Sequence, residues 1–204
     1  MRGIAAGAGV PFEHIVLVNA RTELLKIARR PGMRNSLRTL VSEGCTGVVV
    51  RPEATRDKDL NHAHNWDWQR ECAESAVILR IRNDDGPDIL TFTEAGALAR
   101  FGFNARGICI TATDWKATFG VEPQNGLLVH SNHWLSPVAL SKLRECGMAE
   151  VPSTLQPHEP DRLCAVATLI MRPAAGVMSV AMLPALNRQF TRYSLETGRA
   201  VMEE

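Results

Sequence analysis

The strongest constraint on this chain is a change of pattern at Cys45. From there on the sequence breaks into short runs of strand length: TGVVVR, LNHAHNWD, AVILRIRN, DILTFT, RGICITAT, LLVHSN, CAVATLIM and VMSVAML. Runs of this length, rich in β-branched residues and separated by turn signals such as NDDGPD and RPAAG, favour strands joined by tight connections. The two-residue period is clearest from Val77 to Ile81. Short turns pair neighbouring strands antiparallel, so the residues after Cys45 predict a body built of sheet. Helical signal there is thin. It is confined to SPVALSKLRECG, with Ser136 as N-cap, Pro137 in the first turn and Gly147 as C-cap, and to the closing ALNRQFTRYSLETGRAVMEE. Two helices are a meagre cover for this much sheet.

Before Cys45 the chain reads differently. Pro11 opens an apolar-periodic stretch through Phe12, Ile15, Val16 and Val18 that predicts a helix to about Glu23. The following KIARRPGMRNSLRTL is basic, contains no acid and is broken by Pro31 and Gly32, which reads as an exposed connection running to Gly44. Over 204 residues the formal charge is only +1 and the apolar fraction 45%, so the chain is expected to be one soluble domain with a sizeable core. No apolar run approaches the roughly 20 residues of a membrane span, and near-neutral charge gives no footprint for nucleic acid. The five cysteines are irregularly spaced and lack a CxxC pair, which suggests neither a disulfide framework nor a zinc module. The start, MRGIAAGAGVPF, is too weakly apolar for a signal h-region, so a reduced, cytoplasmic setting is the expectation.

Chemistry concentrates at Glu43-Gly44-Cys45-Thr46, where the two patterns meet. Gly44 has no side chain to keep a thiol away from its carbonyl, and it tolerates a strained backbone. If the Gly44–Cys45 bond breaks, Cys45 carries a thiol and a free α-amine on neighbouring atoms, a nucleophile with its own base. An α-amine with an ordinary pKa of about 8 suits proton transfer near neutral pH. An inert buried cysteine opening a strand would present the same residues.

Four further motifs accompany EGCTG at 43–47: NARTE at 19–23, HNWDW at 64–68, TEAGALARFGFNARGI at 93–108 and GLLVHSNHW at 126–134. Together and in this order, they make the chain resemble the isopenicillin N acyltransferase-like family, the acyl-coenzyme A:6-aminopenicillanic-acid acyltransferases and their bacterial relatives among the N-terminal-nucleophile hydrolases. The resemblance runs from about Gly3 to about Ala181. It implies an α+β fold of the αββα sandwich type and cleavage between Gly44 and Cys45. Residues 1–44 would be the small chain, or pro-segment, and residues 45–204 the catalytic large chain. Cys45 would serve as nucleophile in both self-processing and turnover.

The resemblance also implies that Asp67 is a carboxylate near the nucleophile and that the Asn132 amide donates to the oxyanion. A neutral NH2 fixed before charge develops suits that task, and losing such a donor costs about 3 to 4 kcal/mol. On residue type alone, Asp67 serves equally as a turn cap and Asn132 as a turn former. Trp66, His133 and Trp134 flank these positions and are candidates to wall an acyl pocket, or to be ordinary core. His62, His64, His130 and His133 raise the question of a metal, but lack acid or thiol partners at supporting spacing, so no metal and no cofactor is expected. Arg21 and Glu23 could pair with each other or tie the small chain to the body. The partners implied are a small-molecule acyl donor, an amide or a thioester such as an acyl-coenzyme A, and water or an amine as acceptor.

Against the family pattern the chain looks shortened. Only Trp115 to Asn125 fills a stretch that is long in relatives, the small chain is truncated at its start, and a late basic residue has no clear match beyond Arg162. Incomplete helical layers would leave apolar sheet exposed, and self-association would cover it. The alternative to an enzyme is therefore a degenerate, non-catalytic relative or fragment that binds or oligomerises.

Overall fold

The computed structural model describes residues 1–21, 24, 44–111, 127–131 (backbone only), 145 and 164–203. Two short helices come first, α1 (Arg2–Ala8) and α2 (Phe12–Asn19). The sequence predicts one helix here; α1 escapes notice because RGIAAGA mixes two glycines into a weak apolar pattern, and Gly9 closes it at φ +65°. Pro11 precedes α2, as its fixed φ favours, and Asn19 ends it.

Eleven strands follow among the described residues, all paired antiparallel. They are β1 (Gly44–Val50), β2 (Asn61–Trp68), β3 (Ala76–Ile81), β4 (Ile89–Glu94), β5 (Phe101–Asn104), β6 (Cys109–Ile110), β7 (Leu127–Ser131), β8 (Cys164–Arg172), β9 (Val177–Met182), β10 (Thr191–Ser194) and β11 (Ala200–Met202). Seven form one sheet in the order β11-β10-β9-β8-β2-β1-β7, and four form a second in the order β3-β4-β5-β6. The architecture is thus mixed and mostly antiparallel with few helices, consistent with α+β.

The inward faces of the two sheets share one core. The large sheet supplies Cys45, Trp66, Trp68, Val166, Leu169, Met171 and Met178; the small one supplies Leu90, Phe92, Phe101 and Phe103. Period-two alternation explains the choice on β2, where His62, His64, Trp66 and Trp68 all point inward. Trp66 meets Phe92 edge-on at 5.4 Å, and His64 lies 4.0 Å from Phe101, so the sheets are joined ring to ring. Arg80 on β3 reaches across and donates from Nε to Leu195 O at 2.5 Å, tying the small sheet to the turn after β10.

One sequence expectation is overturned. The closing stretch predicted as a helix is the hairpin β10–β11. Thr191 and Tyr193 alternate with the exposed Arg192, and Gly198 at φ +69° turns the chain back. β5 is a further strand that the sequence reading missed. Gly102 obscures it by lowering strand propensity, yet the position needs glycine: a Cβ there would collide with Leu90 O and stand 2.9 Å from Thr91 Cα. Those neighbours are largely backbone and cannot step aside. Gly102→Ala is expected to cost about 3 kcal/mol in a urea unfolding experiment; a change below about 0.5 kcal/mol would contradict this packing.

The basic connection at 26–43, the helix predicted at 136–147 apart from Glu145, which is helical, the shortened stretch at 115–125, Arg162, and Asn132, His133 and Trp134 lie outside the described residues.

Candidate active site

Cys45 is the second residue of β1, the penultimate strand of the large sheet, which lies between β2 and the terminal strand β7. In the β1–β2 register it stands opposite Trp66, while Gly44 stands opposite Asp67. Residues directly opposite in an antiparallel pair have Cα atoms about 4.5–5.5 Å apart. The register therefore puts Asp67 beside the Gly44–Cys45 peptide, and the Cys45 side chain on the inward face with Trp66. Cys45 and Asp67 are both buried, at 7% and 8% exposure. Their pairing is fixed by β1 and β2 themselves; a bulge at Trp66/Asp67 shifts only the register with β8. Trp66 is buried in the core against Phe92, whatever part it plays in a pocket. Next along, Thr168 Oγ1 donates to Asn65 Oδ1 at 2.7 Å.

A charged cluster that the sequence did not reveal occupies the same end of the inward face. Glu94 ends β4 with the parity of Leu90 and Phe92, so it points between the sheets, and it is 3% exposed. Arg21 Nη2 pairs with Glu94 Oε2, and Arg100 Nε approaches the same oxygen at 2.6 Å. Their guanidiniums also cover the indoles: Arg21 lies 5.3 Å from the Trp68 ring and Arg100 5.1 Å from the Trp66 ring. The tie from Arg21 to the body that the sequence offers is present in its pair with Glu94, and Glu23 lies outside the described residues. Burial first, and the neighbouring Glu94 carboxylate second, push the Cys72 thiol up to about 11, which keeps it protonated near neutral pH. The signal for this cluster was Glu94 at an inward position of ILTFTE, which a solvated acid would not occupy.

Asn19 fastens the first segment to the same region. Its Nδ2 donates to Gly96 O at 2.9 Å, and its Oδ1 accepts from Leu98 N at 3.0 Å. Gly96, at φ +86°, lies against Val18 and Ile15 of α2. Residues on the two sides of the Gly44–Cys45 bond thus share one packed unit.

His64 is 1% exposed, and both of its ring nitrogens are buried without a hydrogen bond. Burial, then the nearby His62, hold its pKa down at about 3; burial also lowers His62, whose Nε2 is 2.8 Å from Thr111 Oγ1. The unfolded chain therefore takes up protons below pH 6.5 that the folded chain refuses, and acid drives unfolding. Stability is expected to be fully present above pH 6.5 and to fall towards pH 3, by about 1.4 kcal/mol per unit from His64. Urea unfolding at pH 7.5 and pH 5 checks this, and His64→Phe should flatten the slope. Burial likewise pushes the Cys109 thiol up to about 12 and raises Cys164. Among the described residues, no three His, Cys, Asp or Glu side chains converge to hold a metal, and no helix is long and apolar enough to cross a membrane.

No family model matches the chain. A 111-residue stretch, 53% of this chain, is 32% identical to the acyl-coenzyme A:6-aminopenicillanic-acid-acyltransferase 40 kDa form of Emericella nidulans. The match spans 26% of that protein's length. The chain is thus distantly similar, over part of its length, to an acyltransferase.

Proposed function

We propose that this chain is a self-processing cysteine acyltransferase or amidohydrolase that works through an acyl-enzyme on Cys45. The observation that carries the reading is the β1–β2 register, which sets Asp67 opposite Gly44 at the bond to be cut. Partial similarity to an acyltransferase supports the class of chemistry. In the first reaction the Cys45 thiol attacks the Gly44 carbonyl carbon. The Gly44–Cys45 C–N bond breaks, the nitrogen takes the thiol proton, and a thioester joins Gly44 to Sγ. Water opens that ester, leaving Gly44 with a carboxylate and Cys45 with a thiol and a free α-amine.

In turnover the amine accepts the thiol proton as Sγ attacks the carbonyl of an amide or thioester, and returns it to the leaving group. The acyl group then passes from Sγ to water or to an amine. Asp67, buried beside the new amino terminus, holds its charge and orientation, while Asn132 donates to the oxyanion. Residues 1–44 form the small chain and 45–204 the large chain of an αββα sandwich whose two sheets are those described above. Labelling tests the reading: a thiol-reactive acyl probe should modify Cys45 in preference to Cys72 and Cys109, whose thiols are held protonated. Labelling spread over the other cysteines, with Cys45 spared, would refute it.

A further inference from the structure

Among the described residues, the charges of the cluster around Glu94 do not balance. Two guanidiniums meet one carboxylate, and both are directed at the same oxygen, Oε2. Arg21 Nε is buried without a hydrogen bond, and Arg100 Nε, though 2.6 Å from Oε2, is off the direction of its N–H. Among the described residues, the only ion-pair partner of either arginine is Glu94. Each guanidinium has five N–H donors, so among the described residues most of this donor capacity is unspent. The arginines remain reachable, at 24% and 22% side-chain exposure, although Glu94 beneath them is sealed.

Position gives that surplus a meaning. Trp66 is the register partner of Cys45, and Arg100 stacks over the Trp66 ring, so the arginine pair stands one indole away from the thiol. Among the described residues the cluster carries an excess of positive charge, partly buried and so costly to leave unanswered. A planar anion matches it in sign and in shape. A carboxylate fits the planar guanidinium fork through two parallel hydrogen bonds.

We propose that Arg21 and Arg100, held in place by Glu94, form a carboxylate-binding subsite beside Cys45, so that the small molecule handled there carries a carboxylate within reach of its reacting amide or thioester. Its place in catalysis rests on the reading of Cys45 as nucleophile; the binding itself does not. Trp66 and Trp68 lie directly under the guanidiniums, so occupation of the subsite alters their fluorescence.

The test is a fluorescence titration of the full-length Cys45→Ala chain with N-acetylglycine, with its neutral counterpart N-acetylglycinamide, and with inorganic phosphate. N-acetylglycine should give a saturable change, and the neutral amide none at the same concentrations. Arg100→Met should weaken the response at least about tenfold, as expected for losing a charge-assisted hydrogen bond. Arg100→Lys keeps the charge without the fork and should fall between; it also serves if the Met variant fails to fold. Equal responses to the acid and the neutral amide, a response indifferent to both Arg100 variants, or tighter binding of phosphate would each overturn the proposal. Because Cys45 is absent, this result is separable from the acyl-transfer reading: failure to label Cys45 in the wild type would sink that reading and leave the subsite standing.

Discussion

Glu94→Ala is expected to destabilise the folded chain by roughly 3–5 kcal/mol, because it leaves two arginines together in a partly buried site with no carboxylate between them. The loss combines direct repulsion between Arg21 and Arg100 with the desolvation that Glu94 now offsets. It should appear as a fall of roughly 10 °C in the unfolding midpoint for a chain of this size. Glu94→Gln keeps the shape and an acceptor oxygen but removes the charge, so it should lie between wild type and Ala. Low salt should deepen both losses, since the arginines are partly exposed and screening moderates their repulsion. If Glu94→Ala unfolds at the wild-type midpoint, the cluster contributes nothing and its role in positioning the two guanidiniums is wrong.

The second large effect is on chemistry. Cys45→Ala should lower acyl transfer at least about a thousandfold, since the proposed acyl-enzyme forms on its sulfur. Stability should change far less than with Glu94→Ala, because Ala in a buried position loses little volume relative to Cys. Asp67→Asn separates proximity from charge. It keeps the side chain opposite Gly44 but cannot hold an ammonium, so kcat should fall while KM is largely retained. A Cys45→Ala chain that turns over substrate as well as wild type would end the mechanism.

Much of the sheet was legible because alternation and turns are local. In β2, the order His62, His64, Trp66 and Trp68 marks an inward face, and the β8 and β9 runs lie where their apolar residues predicted. The hairpin β10–β11 was misread because RQFTRYSLE satisfies helical spacing as well as strand alternation. The deciding feature is Gly198, which needs a left-handed backbone to close the turn. β5 was lost because Gly102 carries no side chain for propensity to read; its reason, the backbone of Leu90 and Thr91 at close range, belongs to the neighbouring strand.

For the site, the Gly44-Cys45 pair drew attention by residue type and Asp67 through the family resemblance, and the structure adds their juxtaposition, set by the register of two strands separated by a loop. Arg21, Glu94 and Arg100 are brought together by the segment just after α2, the end of β4 and the approach to β5, a meeting that depends on how distant segments pack. His64 could be named from sequence, but its two unfilled nitrogens emerge only when Phe101 closes over it.

The central claim, that Cys45 is an activated nucleophile which cuts its own peptide bond, is tested most directly by the denatured mass of the freshly purified protein. The account predicts two pieces, residues 1–44 and 45–204, with a single uncut chain in Cys45→Ala. A wild-type chain that stays at its full 22.4 kDa under every pH and temperature tried would contradict it.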